Sequence, residues 1–290
     1  MSLMTAAMKA KLAKAKQVGP DMNEGKSGGG GYTPPAEGKN VRLRLVGYYE
    51  IGQHVIQKGP YAGKKVHQVR LVWELSGHSW EPQEFDGKKV PYRITDEMTY
   101  SLSEKAGFFK LFKTMNECHG NQATIMAELL GKEFMGDVVH NTSGTGDKKK
   151  VFANLKNIRK AERENDEGKI VPVIVPEPLT EIKFFIWDIA DMEMWDSIFI
   201  DGHYEEKKDK DGNVTHKAKS KNVIQEKIMS ALNWNECPIA ELVKSGATAA
   251  DEKALDDALG SDDNDTPPFP VEDEPKQEAS DAGEPDLNSI

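Results

Sequence analysis

The sequence predicts a mainly β, α+β protein built around a small five-stranded barrel, and three observations point there. Two runs alternate strongly, Val41-Arg42-Leu43-Arg44-Leu45 and Val66-His67-Gln68-Val69-Arg70-Leu71-Val72-Trp73. A third strand and a helical segment follow them, and two further extended runs close the region. Successive strand side chains point to opposite faces. Val41, Leu43 and Leu45 therefore share one face, with Arg42 and Arg44 on the other. His67, Val69, Leu71 and Trp73 likewise share a face opposite Gln68 and Arg70. Paired, the two strands offer an apolar face to a core and a guanidinium-bearing face to an anion.

Composition bounds the rest. Of the 290 residues only 38% are apolar, and mean hydropathy is −0.62, so part of the chain is expected to stay unpacked. Cys118 and Cys237 stand alone, with no metal-ligand spacing and no disulfide framework. No apolar run approaches the ~18 residues of a membrane span. Met1–Gln17 alternates Lys with Ala and Leu and lacks a signal peptide's apolar centre. A cytoplasmic setting is expected. The charge is divided unevenly: residues 251–290 carry 14 acids against Lys253 and Lys276, a net −12, so the total of −10 leaves +2 on residues 1–250. The acidic pI of 5.3 thus hides a slightly basic body.

In chain order, residues 1–38 read as a Lys-rich helix (Met4–Lys16) and a glycine-dense tether. Gly25-Lys26-Ser27 is not a phosphate loop, because the earlier glycine falls at Pro20 and no strand precedes it. Residues 39–160 read as one domain. Lys58–Lys65 connects the first two strands, Gly77–Asp86 is a loop holding Trp80, and Phe85-Asp86-Gly87-Lys88 is a turn. Val90–Thr99 is a third strand. Ser101-Leu102-Ser103-Glu104 reads as a capping box opening a helix to about Glu117, and a short helix over Ala123–Leu130 stops at Gly131. Lys132–Thr142 and Val151–Ile158 pair as a hairpin across Ser143–Asp147.

Three strands, a helical segment and a two-stranded hairpin make the element order of the OB-fold, whose strand 2–3 face and 1–2 and 4–5 loops bind oligonucleotides. Both loops carry positive charge here: Lys58, Lys64 and Lys65 with Tyr61 in the first, and Lys148, Lys149 and Lys150 in the second. Single-stranded nucleic acid is held by cations tracking phosphates and by rings that stack on bases. Arg42, Arg44, Arg70, Lys64, Lys65 and Lys148–Lys150 are the phosphate candidates, and Tyr48, Tyr61, Trp80 and Tyr92 the stacking candidates. Trp73, Phe108, Phe109 and Phe112 are expected in the core.

Residues 161–246 read as an appendage packed on the barrel. It holds a buried strand near Phe184–Trp187, a short amphipathic segment over Asp191–Phe199, and a helix over Asn222–Asn233. Asp209–Asn213 has the look of a calcium loop but lacks the twelfth-position Glu, where Ser220 stands, and an exposed turn is expected instead. Residues 247–290 read as a disordered acidic tail around one apolar island, Thr266–Val271. None of the seven histidines falls in HxxxH or HExxH spacing and no nucleophile motif occurs, so neither an enzyme nor a cofactor is called for.

The runs Val69–Leu75, Tyr92–Thr95 with Thr99–Ala106, Leu130–Lys132, Val138–Thr142 and Phe152–Leu155 resemble a family of tailed-phage proteins, the OB-fold single-stranded DNA-binding proteins of phage replication. The resemblance covers roughly residues 40–160 and more weakly 180–235. It implies a protein that coats single-stranded DNA without sequence preference. It also implies an acidic tail (Asp262, Asp263, Asp265, Phe269, Glu272, Asp273 and Glu274) that competes with DNA or recruits a polymerase, helicase or primase. A homo-oligomer is left open.

Overall fold

The computed structural model describes residues 34–85, 87–144, 149–208, 214–248 and 251–252. Met4–Lys16, the glycine tether, Lys148, Asp209–Asn213 and the tail residues Asp262 to Glu274 lie outside them.

The architecture is mainly β. Five antiparallel strands, β1 (Gly38–Val55), β2 (Lys65–Ser76), β3 (Tyr92–Thr99), β4 (Glu133–Ser143) and β5 (Lys150–Arg159), form one sheet in the order β3-β2-β1-β4-β5. A short strand, β6 (Lys183–Phe185), joins β1 in parallel. The five strands expected for the barrel form this sheet without closing it: among the described residues β3 and β5 share no ladder. Helix α1 (Gly107–Cys118) packs against both of them instead.

β1 is far longer than the five-residue run the alternation marks, because two bulges break its period. Its register against β2 shifts between Leu45 and Gly47 and again between Glu50 and Gly52. A bulge adds one residue and turns the side chains that follow to the other face. Val41, Leu43, Leu45 and Tyr48 therefore enter one core, while Tyr49 and Ile51 enter another. Gly52 has φ +79°, and a Cβ there would lie 2.4 Å from the Trp187 ring, so only glycine fits. β4 pairs the first half of β1 as far as Arg44, and β6 takes over the same edge from Gly47.

The first core gathers Leu43, Leu71, Trp73, Ile94, Phe108, Met115 and Phe134, with Trp73 and Phe134 edge to face at 5.8 Å. The second lies on the opposite side of β1. There Ile51 and Phe185 meet α2 (Met192–Ser197), α3 (Val223–Met229) and α4 (Ala240–Ser245). Asp191 caps α2 by accepting from Met194 N at 2.7 Å.

Three local expectations change. The Ser101 capping box is not used, and α1 begins six residues later at Gly107 with no side-chain cap. Tyr100 N still bonds His67 O at 2.8 Å, so the chain leaves the sheet too late for a helix to start at Leu102. Ala123–Leu130 holds a 3-10 turn, Met126–Leu129, pinned by the Glu128 carboxylate on Thr124 N and Ile125 N. Residues 161–175 contain a small hairpin, Glu162–Glu164 with Ile170–Pro172.

Candidate nucleic-acid interface

Pairing of β2 with β3 sets Arg70 opposite Glu97, Val72 opposite Thr95 and Glu74 opposite Arg93 on the outer face of the sheet. Glu74 is not available to Arg93. It is buried, and its two oxygens accept from Leu179 N at 2.8 Å and Thr180 N at 2.7 Å. That anchor carries the chain past the sheet into β6, and it leaves Arg93 exposed with no ion pair among the described residues.

Between this face and the C-terminal segment lies an open cleft of about 800 Å³. Arg70, Lys89 and Arg93 line it from the sheet side, and Lys183 and Lys221 from the other. Glu181 is the one acid among the described lining residues, and it pairs with Lys183 at 3.2 Å. Arg70 is half-satisfied by Glu97, which accepts from its Nε at 2.9 Å. Lys89, Arg93 and Lys221 have no carboxylate partner among the described residues; Lys221 Nζ sits 5.5 Å above the Tyr204 ring. Tyr204 is 59% exposed, and Tyr92 is half-buried with its hydroxyl accepting from Gln83 Nε2 at 2.5 Å. Burial pushes the Tyr49 phenol up to about 12, while the nearby Arg93 and Arg70 guanidiniums pull the other way. Clustered charge of one sign in a low-dielectric recess focuses its field on an anion. With cations on two walls and phenol rings between them, the cleft offers both contacts that an unpaired polynucleotide uses.

Of the residues marked from sequence, Arg70 and Tyr92 line this cleft. Arg44 does not, and its expected role is corrected. Its guanidinium donates to the carbonyls of Gly131 (2.6 Å), Val175 (2.9 Å) and Pro176 (2.7 Å), with Glu177 at 3.0 Å and Glu133 at 3.5 Å. A side chain 11% exposed and so fully engaged clamps the chain and has no donor left for phosphate. Two stacking candidates are corrected as well. Tyr48 lies in the first core and donates to Glu50 at 2.8 Å, and Trp80 is buried with Nε1 donating to Ala36 O at 3.0 Å. Arg42 is half-buried on the outer face beyond the cleft lining. Tyr61, Lys64, Lys65, Lys149 and Lys150 are exposed on the two connections, with Lys64 Nζ 4.8 Å over the Tyr61 ring.

Lys89, Arg93, Lys183, Lys221, Tyr49 and Tyr204 escaped the sequence reading. Strand parity finds Arg93 once Ile94 is placed inward. No local pattern marks Lys183 or Lys221, which reach the cleft through the packing of the second core.

Three histidines act as pins, their Nε2 atoms set against the carbonyls of Ile51 (His54, 2.7 Å), Glu133 (His119, 3.0 Å) and Pro35 (His140, 2.7 Å). Among the described residues no group of three His, Cys, Asp or Glu is placed to hold a metal ion, and no helix is long and apolar enough to cross a membrane. Comparison with protein-family models, curated proteins and solved structures finds no match to the chain.

Proposed function

We propose that this chain is a single-stranded DNA-binding protein of phage-type replication and recombination, a non-enzymatic protein that coats DNA without sequence preference. The observation that carries the reading is the cleft on the outer face of β2 and β3, with five cations against one acid and with Tyr92 and Tyr204 on its walls. The strand order supports an OB-fold as its scaffold: a meander β1-β2-β3, a helix, and a hairpin β4-β5 returning to β1. In that fold the strand 2–3 face is the one that binds oligonucleotides. Resemblance of residues 40–160 to the tailed-phage family points the same way.

In this reading Lys89, Arg93 and Lys221 take phosphates, and the paired Arg70 and Lys183 exchange their carboxylates for phosphate oxygens. Tyr204 and Tyr92 stack on bases at about 1–3 kcal/mol each. None of these side chains reads base edges, so binding is indifferent to sequence. The acidic tail recruits a replication enzyme such as a polymerase, helicase or primase.

A labelled oligothymidine in fluorescence anisotropy tests the reading. Single strands should bind at least about tenfold tighter than duplex. The slope of log K against log[salt] should fall between about −2 and −3.5, for three to five phosphates at about −0.7 each. Equal affinity for duplex, or a flat salt response, contradicts it.

A further inference from the structure

A second recess bears no relation to the cationic cleft and shares no lining residue with it. It is an apolar groove of about 340 Å³, walled by the rings of Tyr48, Tyr100, Phe108, Phe109 and Phe112. At its mouth Leu102 is 65% and Ile125 51% exposed, large apolar side chains left in water side by side. Folding alone does not explain such a patch. We propose that the groove is the docking site of this chain's own Pro267-Pro268-Phe269-Pro270-Val271 segment, which anchors the acidic tail to the body.

Three features of the molecule select this occupant. The first is shape: a proline-rich stretch holds the polyproline II conformation before it binds, so little entropy is lost, and aromatic-lined grooves are what such stretches dock into. The second is reach. The described chain ends at Glu252, whose Oε2 accepts from Met192 N at 2.6 Å. Three residues before Met192, Ile189 lines a hollow of about 670 Å³ that also contains Tyr100 and Ile125, two of the groove's own residues. The fifteen residues from Glu252 to Pro267 can extend about 50 Å, which is the reach the segment has from Glu252. The third is charge. Asp262, Asp263 and Asp265 precede the island and Glu272, Asp273 and Glu274 follow it. Lys110 and Lys113 on α1 and Lys105 just before it are exposed without ion pairs among the described residues, and outnumber Glu104 and Glu117 on the same stretch. The carboxylates near the groove, Glu50, Glu128 and Asp188, lie on elements other than α1, which carries the lysines; Glu50 accepts from Tyr48 and Trp187 N, and Glu128 from Thr124 and Ile125 N. A tether of this length supplies an effective concentration near millimolar, so a weak intrinsic contact suffices.

The consequence is that the tail's aromatic anchor lies apart from the cationic cleft, with the acidic flanks held against the body yet open to a partner. The test is a methyl NMR spectrum of the full chain and of its Phe269→Ala variant. Loss of the ring should shift the Leu102 and Ile125 signals and leave those of Ile198 and Ile200, in the cleft, in place. Unmoved Leu102 and Ile125 signals overturn the proposal, and so do shifts at Ile198 and Ile200, which would put the segment in the cleft. The shifts should not change on tenfold dilution; loss on dilution overturns the intrachain contact in favour of a second copy. As an independent readout, Phe269→Ala should shift the Leu102 signal no further once Ile125→Asp is in place, and should still shift it in Leu232→Asp, at an exposed apolar site elsewhere. The same response in both variants overturns it too.

Discussion

Arg44 and Arg93 stand on the outer face of the same sheet, one on β1 and one on β3, and their fates are opposite. Arg44 is enclosed by residues 175–177 and gives its donors to three carbonyls and two carboxylates. Arg93 stays open because the one carboxylate opposite it, Glu74, is held by Leu179 and Thr180. One passing segment, residues 175–183, thus removes a guanidinium from the β1 half of the face and exposes another on the β3 half. Strand parity assigns a face; what later covers that face decides between clamp and ligand site.

Substitutions at the two ends should therefore separate stability from binding. The largest effect is expected at the clamp: Arg44→Met leaves three carbonyls without their donor and should cost about 2–4 kcal/mol of stability by denaturant titration. Single-stranded DNA affinity of the folded fraction should be unchanged. Close behind is Gly52→Ala, which puts a side chain at positive φ against Trp187 and should loosen the second core by about 2 kcal/mol or more. At the open end, Arg93→Glu with Lys221→Glu should weaken single-stranded DNA binding by more than about tenfold and move stability by less than about 0.5 kcal/mol, since neither side chain has an ion pair among the described residues to lose.

The smallest effect concerns the unclosed seam between β3 and β5. Asp96 points inward there, beside Trp73, whose indole N–H has no partner among the described residues, and burial raises the Asp96 carboxyl to about 6. The folded state then holds the proton more tightly than the unfolded chain, so this group lowers stability as pH rises from about 4 to about 6 and is level above that. Asp96→Asn should remove this part of the slope and raise Tm at pH 7 by a few degrees. A Tm difference independent of pH contradicts the assignment.

How much of this was legible in the sequence follows from how local each feature is. The inward rows Val41-Leu43-Leu45 and Val69-Leu71-Trp73 were readable, because each alternates without interruption and each is buried. The second half of β1 was not, since bulges at Gly47 and Gly52 break the period on which the reading relied. Tyr48 and Trp80 look like stacking rings in sequence but are buried in the first core. In the cleft, Arg70 and Tyr92 were visible from strand patterning, whereas Lys183 and Lys221 come from segments more than eighty residues along the chain from β3. Their arrival depends on the Glu74 anchor and the second core, which no window of sequence displays.

The most direct test of the central claim is the affinity of labelled oligothymidine for Arg93→Glu/Lys221→Glu against Arg44→Met, measured at one salt concentration on folded protein. The account predicts that the first variant loses more than about tenfold and the second loses nothing. Equal losses, or a loss confined to Arg44→Met, would contradict it and return the binding surface to β1.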